Sequence, residues 1–314
     1  MSVTIPAVIP KIKELSYSSC LDLHGCPRKY QLNKLMRKED MGDTRSVTFA
    51  FGHAVGEGIQ SILLGKSREE VLWDMFLIWD FDLLGEEPKA KKSFAEAVLA
   101  VEKFHEYLDL SDLKNYEVAV INGKYATELS FKIVLIDGYV YRGFIDVVLK
   151  HKETAKLLVL ELKTTGGYKI DEAQYKNSAQ ALGYTLVLDT LNETKSPTFE
   201  VRYLAYKTKS REYEALNFVK IFSHKVDWVR NIIMDCEALT KYRQEEYFPR
   251  YGESCYNYFR QCQHFQYCTL KDTSLQLNQE AESTDTVEYT VELNLLDIIG
   301  SMEESAVSRV VIND

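Results

Sequence analysis

Long hydrophobic runs are absent from this chain of 314 residues. No stretch approaches the ~18 apolar residues that a membrane span needs, and no charged-then-apolar leader opens the sequence. Neither a transmembrane segment nor a secretory signal is expected, and the cytoplasm is the default address. An excess of positive charge is absent too: 38 Lys and Arg stand against 47 Asp and Glu, a net of −9. That total argues against a polyanionic partner until it is divided along the chain. Residues 271–314 hold ten acids and two bases, so the other 270 residues carry 36 bases against 37 acids. A near-neutral body can still carry a basic groove, because binding follows where Lys and Arg cluster rather than their sum. With 46% hydrophobic and 27% charged residues the composition is that of a globular protein, long enough for one large domain or two small ones. Six cysteines in a chain with a cytoplasmic address point to metal ligands or core thiols rather than to structural disulfides.

What is present centres on residues 139–184. Two strand-like apolar runs carry Asp146, then Glu161 and Lys163, and a helix-like segment follows. Side chains alternate faces along a strand, so Leu157, Val159, Glu161 and Lys163 point one way and Leu158, Leu160 and Leu162 the other. A charged pair at the end of an otherwise buried strand is costly unless a metal, a partner or solvent compensates it. Two carboxylates and an ammonium at the end of a hairpin suit a divalent cation with a water beside it. Asp146, Glu161 and the backbone carbonyl of Leu162 are the hard oxygen ligands that Mg²⁺ or Mn²⁺ prefers. Lys163 would then orient or deprotonate the attacking water, or stabilise developing charge. The plainer reading of the triplet is a surface ion pair.

The motifs taken together resemble a known family. Gly143-Phe144-Ile145-Asp146, a hydrophobic strand ending Glu161-Leu162-Lys163-Thr164, and Gln180 to Tyr184 resemble the PD-(D/E)XK nuclease superfamily, in its RecB-like branch with a Q-x-x-x-Y motif. Ser16 to Leu32 resembles the first motif of that branch, as found in phage and CRISPR-associated exonucleases. The resemblance covers roughly residues 14–270 and rests on four motifs in order. It implies an α/β fold: a restriction-endonuclease-like mixed β-sheet core flanked by helices, with an N-terminal helical region and a C-terminal cysteine-rich staple. It also implies a metal-dependent DNA nuclease, most simply an exonuclease on DNA ends or single strands in phage or bacterial recombination, replication or repair. Gln180 and Tyr184 would lie near the active site and contact the strand. The family's metal-facing histidine falls here on Gly56, a departure that leaves His53 or Glu57 as substitutes, each with an ordinary helix role as its alternative. Non-catalytic DNA binding and structure-selective endonuclease action are the rival functions.

Cys255, Cys262 and Cys268 lie in an aromatic-rich segment, and Cys26 is the natural fourth thiolate. One distant N-terminal cysteine with a C-terminal trio resembles the [4Fe–4S] staple of several RecB-like nucleases, although four thiolates suit structural zinc on ligand type. Cys20 could replace Cys26, and His264 could complete a zinc site.

The rest of the chain reads as follows. Residues 1–13 form an extended lead-in. Ser16–Lys38 is helical with a break or fresh start at Pro27. From Lys11 to Lys38 there are seven bases against two acids, facing either phosphate or solvent. Thr48–Leu64 reads as a helix, and Ser67 to Glu70 has capping-box spacing before another. A further helix runs from Phe94 to Leu108. Asp137-Gly138 signals a hairpin between two strands, the first carrying Glu128, which is either an extra acid for the site or half of a cross-strand ion pair. Lys156–Lys163 is a strand, Asp171–Thr190 a helix and Thr198–Thr208 a strand. A long helix then carries Cys236 on its apolar face. The expected division is a helical region over 1–115, a nuclease core over 116–248, a cysteine-rich segment over 249–270 and an acidic tail over 271–314. The tail would dock a basic protein partner, cover the body as a strand or helix with its apolar run Val291–Ile299, or serve as a solubilising extension, and a helicase or recombination protein is an expected partner of the chain.

Overall fold

The structure is a computed structural model, and it describes residues 13–35, 46–86, 92–167, 169–191, 198–257, 260–266, 268 and 288–310. The expected lead-in, residues 36–38 of the first helical segment and most of the acidic tail lie outside these.

A short strand β1 (Glu14–Leu15) precedes α1 (Tyr17–Gly25) and α2 (Pro27–Leu35). Ser16 caps α1 reciprocally with Ser19: each backbone N–H donates to the other's hydroxyl, at 2.7 and 3.3 Å. Pro27 takes the first position of α2, where a missing N–H leaves nothing unsatisfied. Next come α3 (Val47–Leu63), α4 (Arg68–Ile78) and α5 (Phe94–Leu110). The capping box before α4 forms as its spacing predicts, with Ser67 N–H on Glu70 Oε2 at 2.8 Å and Glu70 N–H on Ser67 Oγ at 3.3 Å. Strands β2 (Tyr116–Val118), β3 (Val120–Ile121), β4 (Lys124–Tyr125), β5 (Thr127–Val134), β6 (Val140–His151) and β7 (Leu157–Thr165) follow. Between β5 and β6, Asp137 and Gly138 both adopt positive φ, 56° and 74°, the conformation the Asp-Gly pair supplies most readily. After β7 come α6 (Glu172–Lys176), α7 (Ala179–Leu191), β8 (Thr198–Lys207), β9 (Glu212–Ile221) and α8 (Phe222–Gln244). Two short strands, β10 (Tyr256–Asn257) and β11 (Arg260–Gln261), precede β12 (Val291–Asn294) and α9 (Leu295–Val310).

The single helix expected over 171–190 is two. Asn177 leaves the helical region, and the buried Lys220 ammonium donates to the Lys176 carbonyl at the end of α6. A carbonyl satisfied there no longer needs a continuing helix, so the chain restarts at Ala179.

The chain divides into two compact units. One comprises Arg45–Ser130 and Phe144–Lys225. Its sheet is mixed: β7 pairs antiparallel with β6 and parallel with β8, and β8 pairs antiparallel with β9. Helices α3, α4 and α5 pack one face through a core that includes Phe51, Ile59, Met75, Phe104, Leu158, Leu160 and Tyr206. Arg202 on β8 is buried and charged; its guanidinium forks onto Asp112 at 2.7 and 2.9 Å, and its Nε donates to Asn217 at 2.6 Å. This α/β arrangement of a mixed sheet flanked by helices is the fold class expected.

The second unit comprises Met1–Thr44, Phe131–Gly143 and Val226–Asp314. There β12 pairs in parallel with Phe131–Val134 of β5, so the apolar run of the tail adds a strand rather than a loose extension. Cys236 is buried in α8, and burial pushes its thiol up to about 12, as a core thiol requires.

Candidate active site

The site forms where a strand ladder ends. The antiparallel pairing of β6 and β7 stops at Val147 opposite Leu160. One step beyond stand Asp146 and Glu161, two acids whose charges would repel across a closed ladder. The backbone N–H of Leu162 donates instead to Asp146 Oδ2 at 2.7 Å, so a side chain takes the place of the missing strand partner. Glu161 is 1% exposed, and its Oε1 accepts from Lys163 Nζ at 2.6 Å. Its Oε2 is buried with no hydrogen-bond partner. Alternation along β7 thus brings Glu161 and Lys163 into contact, as the sequence predicts.

The electrostatics follow from this burial. Desolvation raises the Glu161 carboxyl to about 7, the neighbouring Asp146 adds to the rise, and Lys163 opposes it. Asp146 is also raised, first by burial, with Lys163 and the Leu162 N–H holding it back. Burial works against the Lys163 charge, yet the two acids outweigh it and its pKa is raised, so Lys163 stays protonated.

These residues line a pocket of about 670 Å³ lying wholly within the first unit described. Its other wall is α3, which contributes Phe49, Gly52, His53, Gly56, Glu57 and Gln60. His53 and Glu57, the expected substitutes for a histidine at Gly56, therefore both reach the pocket. Burial raises the Glu57 carboxyl, helped by Asp74. Glu128 joins them from β5, and its backbone sits at φ 45°, a strained conformation for a residue with a side chain. Rather than an ion pair, Glu128 accepts from the Gln60 amide at 2.9 Å. Burial raises its carboxyl, the Gln60 bond lowers it, and the charges of Asp146 and Glu57 raise it further.

Gln180 lines the pocket, whereas Tyr184 is buried behind it; the Gln180 amide donates to the Tyr184 hydroxyl at 2.7 Å. Sequence reasoning missed Gln60, a buried amide in an apolar helix, for which the signal was that isolated polar position. It also missed Tyr175 on α6, whose ring lies 4.7 Å from that of Tyr203 and whose hydroxyl acts on the Lys163 charge. Tyr203 stands opposite Glu161 in the β7–β8 register.

The cysteines lie in the other unit. Cys26 is buried between α1 and α2, with its thiol directed at the Pro249 carbonyl at 3.9 Å. The Cys262 N–H donates to the Cys255 carbonyl at 2.8 Å. Cys268 is raised by burial first, with Cys26 and Cys255 close enough to add to the rise. The His264 imidazole is buried and bonded to Asn33 at 2.6 Å. Among the described residues, no three His, Cys, Asp or Glu side chains converge tightly enough to hold a metal ion. In the pocket Asp146, Glu161 and Glu128 each have an oxygen engaged by a protein donor.

The profile of the PD-(D/E)XK nuclease superfamily matches residues 14–269. The chain belongs to that superfamily. It is thus a nuclease, a hydrolase of phosphodiester bonds, and members of this superfamily typically use divalent metals such as Mg²⁺ or Mn²⁺. No curated protein matches it. Among solved structures it resembles one named "Putative exonuclease" from Eubacterium rectale, at 13% identity over 77% of this chain and 86% of that one, with a TM-score of 0.49. It also resembles SSO0001, at 14% identity over 81% of this chain and 97% of that one, with a TM-score of 0.31. No helix among the described residues is long and apolar enough to cross a membrane.

Proposed function

We propose that this nuclease is a divalent-metal-dependent deoxyribonuclease of the RecB-like branch, acting as an exonuclease on DNA ends or single strands. The observation that carries the chemistry is Glu161 Oε2, buried and without a partner beside a second raised carboxyl. A buried acceptor of that kind calls for a cation. Asp146, Glu161 and the Leu162 carbonyl would hold Mg²⁺ or Mn²⁺, with Glu128, Glu57 or His53 within the same pocket as further donors. When bound, the metal supplies Lewis-acid polarisation of the phosphate and a more acidic water. Lys163, fixed on Glu161 Oε1, stabilises negative charge on the phosphate and orients the attacking water. Gln180, held by Tyr184, keeps amide groups available to the strand.

The reading extends to the thiols. Cys26, Cys255, Cys262 and Cys268 are read as ligands of a [4Fe–4S] cluster, or of zinc. The donor set suits either on ligand type. The setting proposed is the bacterial cytoplasm, in phage or host recombination, replication or repair, with a helicase or recombination protein docking on the acidic tail.

The test is degradation of end-labelled linear and circular single-stranded DNA with Mg²⁺ and Mn²⁺, beside Lys163→Ala, on protein purified without oxygen and assayed for iron, sulfide and zinc. Loss of linear DNA alone, dependent on Lys163, supports the exonuclease. Cleavage of circles makes it an endonuclease, and no Lys163-dependent cleavage makes it a DNA-binding module.

A further inference from the structure

Helix α4 buries Val71 and Met75, the latter beside Gly58 of α3, so its opposite face should be polar. That outer face instead carries Glu69, Glu70, Trp73, Phe76 and Leu77 at spacings of three and four. Trp73, Phe76 and Leu77 are 60, 45 and 62% exposed. Trp73 stacks on Phe76 at 5.8 Å and 16°, and Phe76 packs at 4.8 Å on Phe81, which is 40% exposed in the turn after α4. Half-buried Phe94, at the start of α5, meets both Phe76 and Phe81 at 6.3 and 6.2 Å. This aromatic shelf is therefore fixed before anything binds it, which lowers the ordering cost of a contact. With full areas of about 150–250 Å² each, the three exposed rings alone present roughly 300 Å² of apolar surface. A patch of that size on a monomer commonly marks an interaction site.

The charges around the shelf select its occupant. Two bases stand near it, and both are engaged: Lys66 pairs with Asp74 at 2.7 Å and Arg68 with Glu102 at 2.6 Å. Glu69 and Glu70 are exposed at one end. The Ser67 N–H holds the Glu70 carboxyl below its usual range, so it stays charged. Asp80 and Asp82 flank Phe81 at the other end. Acids at both ends repel nucleic acid and anionic lipid, and they repel the chain's own acidic segment 271–314 as well. A second copy meets the same obstacle, because shelf against shelf sets acids on acids in either orientation. The apolar area also falls well short of the ~800 Å² per partner of a standard stable interface. It matches a single helix or strand. We propose that Trp73, Phe76, Leu77 and Phe81 form a docking site for a basic amphipathic segment of a partner protein, with an apolar centre and Lys or Arg at both ends. The site is independent of the nuclease reading, since none of these four side chains lines the catalytic pocket.

Trp79 and Trp228 are buried, so Trp73 is the tryptophan that a ligand on the shelf would cover. Full-length protein is titrated with two synthetic amphipathic helical peptides free of aromatic residues. Both carry leucines along one face; one has lysines at its two ends, the other glutamates. The expected result is a blue shift of tryptophan fluorescence by the lysine peptide alone, weakening as salt is added. Calorimetry should show Trp73→Ala binding that peptide about 5- to 30-fold less tightly. Glu69→Lys, at an exposed position, should weaken it about 2- to 10-fold and keeps the test open if Trp73→Ala fails to fold. An unshifted spectrum, equal binding of the two peptides, or affinity unchanged in both variants overturns the proposal. So does self-association abolished by Trp73→Ala, which would assign the shelf to a second copy, or an equal blue shift on phosphatidylcholine vesicles, which would assign it to a membrane. Failure of the chain to cleave any nucleic acid would instead sink the nuclease reading and leave this result standing.

Discussion

Two glycines on one helix should respond to alanine with opposite signs. In α3, a Cβ added at Gly58 would lie 2.5 Å from Val101 Cγ2, 3.0 Å from Val101 Cγ1 and 2.9 Å from Met75 Sδ. Carbon atoms are at ease near 3.5–4.0 Å, so the Val101 overlap is about 1 Å. The Met75 contact is relieved cheaply because the thioether chain is flexible. Val101 is β-branched on α5 and held close to one rotamer, so it cannot swing aside and the helices must part. Overpacking costs about 1–3 kcal/mol, against about 1 kcal/mol gained in helix propensity. The clash wins, and Gly58→Ala should destabilise by up to about 2 kcal/mol, lowering Tm by up to roughly 4 °C. At Gly56 nothing lies within 4 Å of the added carbon. There the propensity term acts alone, and Gly56→Ala should stabilise by about 0.5–1 kcal/mol. Urea and thermal unfolding followed by circular dichroism read both. Equal signs for the two variants, or a Gly58→Ala protein no less stable than its parent, would refute the packing argument, and Val101→Ala should rescue Gly58→Ala if it holds.

Other outcomes follow from the site and its scaffold. Asp146→Asn keeps an acceptor for the Leu162 N–H and should fold normally while losing at least about a hundredfold in nuclease activity. Asp146→Ala orphans that N–H and should in addition cost about 1–3 kcal/mol of stability, read by unfolding beside the activity assay. Asp112→Asn breaks the fork on buried Arg202 and, because Asp112 is half-exposed and Glu200 still pairs with the guanidinium, should cost about 0.5–1 kcal/mol near neutral pH. The Arg202 hydrogen bond holds the Asp112 carboxyl below the usual range. The carboxylate therefore stabilises the fold above the unfolded pKa near 4, a contribution lost as pH falls through the lower folded value. Unfolding measured from pH 2 to 7 should show a flatter acid limb in the variant. Finally, burial raises the thiols of Cys20 and Cys236, so both should resist maleimide in the native protein and react on unfolding, as mass spectrometry would show.

Local chemistry was legible where one signal dominates. The Asp137-Gly138 turn, the Ser67–Glu70 box and the restart at Pro27 each have a short-range cause that no tertiary contact overrides. Legibility ended where a distant residue decides. The break between α6 and α7 depends on Lys220, which is 44 residues from the carbonyl it caps. Strand β9, Glu-Tyr-Glu-Ala-Leu-Asn-Phe-Val-Lys-Ile, lacks clean alternation and is held by its ladder with β8 instead. Within the site, Asp146, Glu161 and Lys163 could be read from the alternation of a single strand and its hairpin partner. Gln60 could not be paired with Glu128 from sequence, because a helix face and a strand strained to positive φ meet only in the fold. Spacing likewise could not separate Gln180, which faces the pocket, from Tyr184, which sits behind it.

The end of the β6–β7 ladder explains why the site can exist in a stable chain. Closing the ladder one step further would set half-buried Asp146 against buried Glu161, at a desolvation and repulsion cost. Opening it leaves the Leu162 N–H without a strand partner, and Asp146 satisfies that donor with its own side chain. Lys163 takes one oxygen of Glu161, and Gln60 takes one of Glu128. Each acid thus has a protein donor on one oxygen, while in Glu161 the other is left buried and unmet. The donors fix the carboxylates in place without neutralising them all, and burial first, then the Asp146 charge, keeps the Glu161 carboxyl raised. A site arranged in this way favours a cation for the same electrostatic reason that it strains the fold.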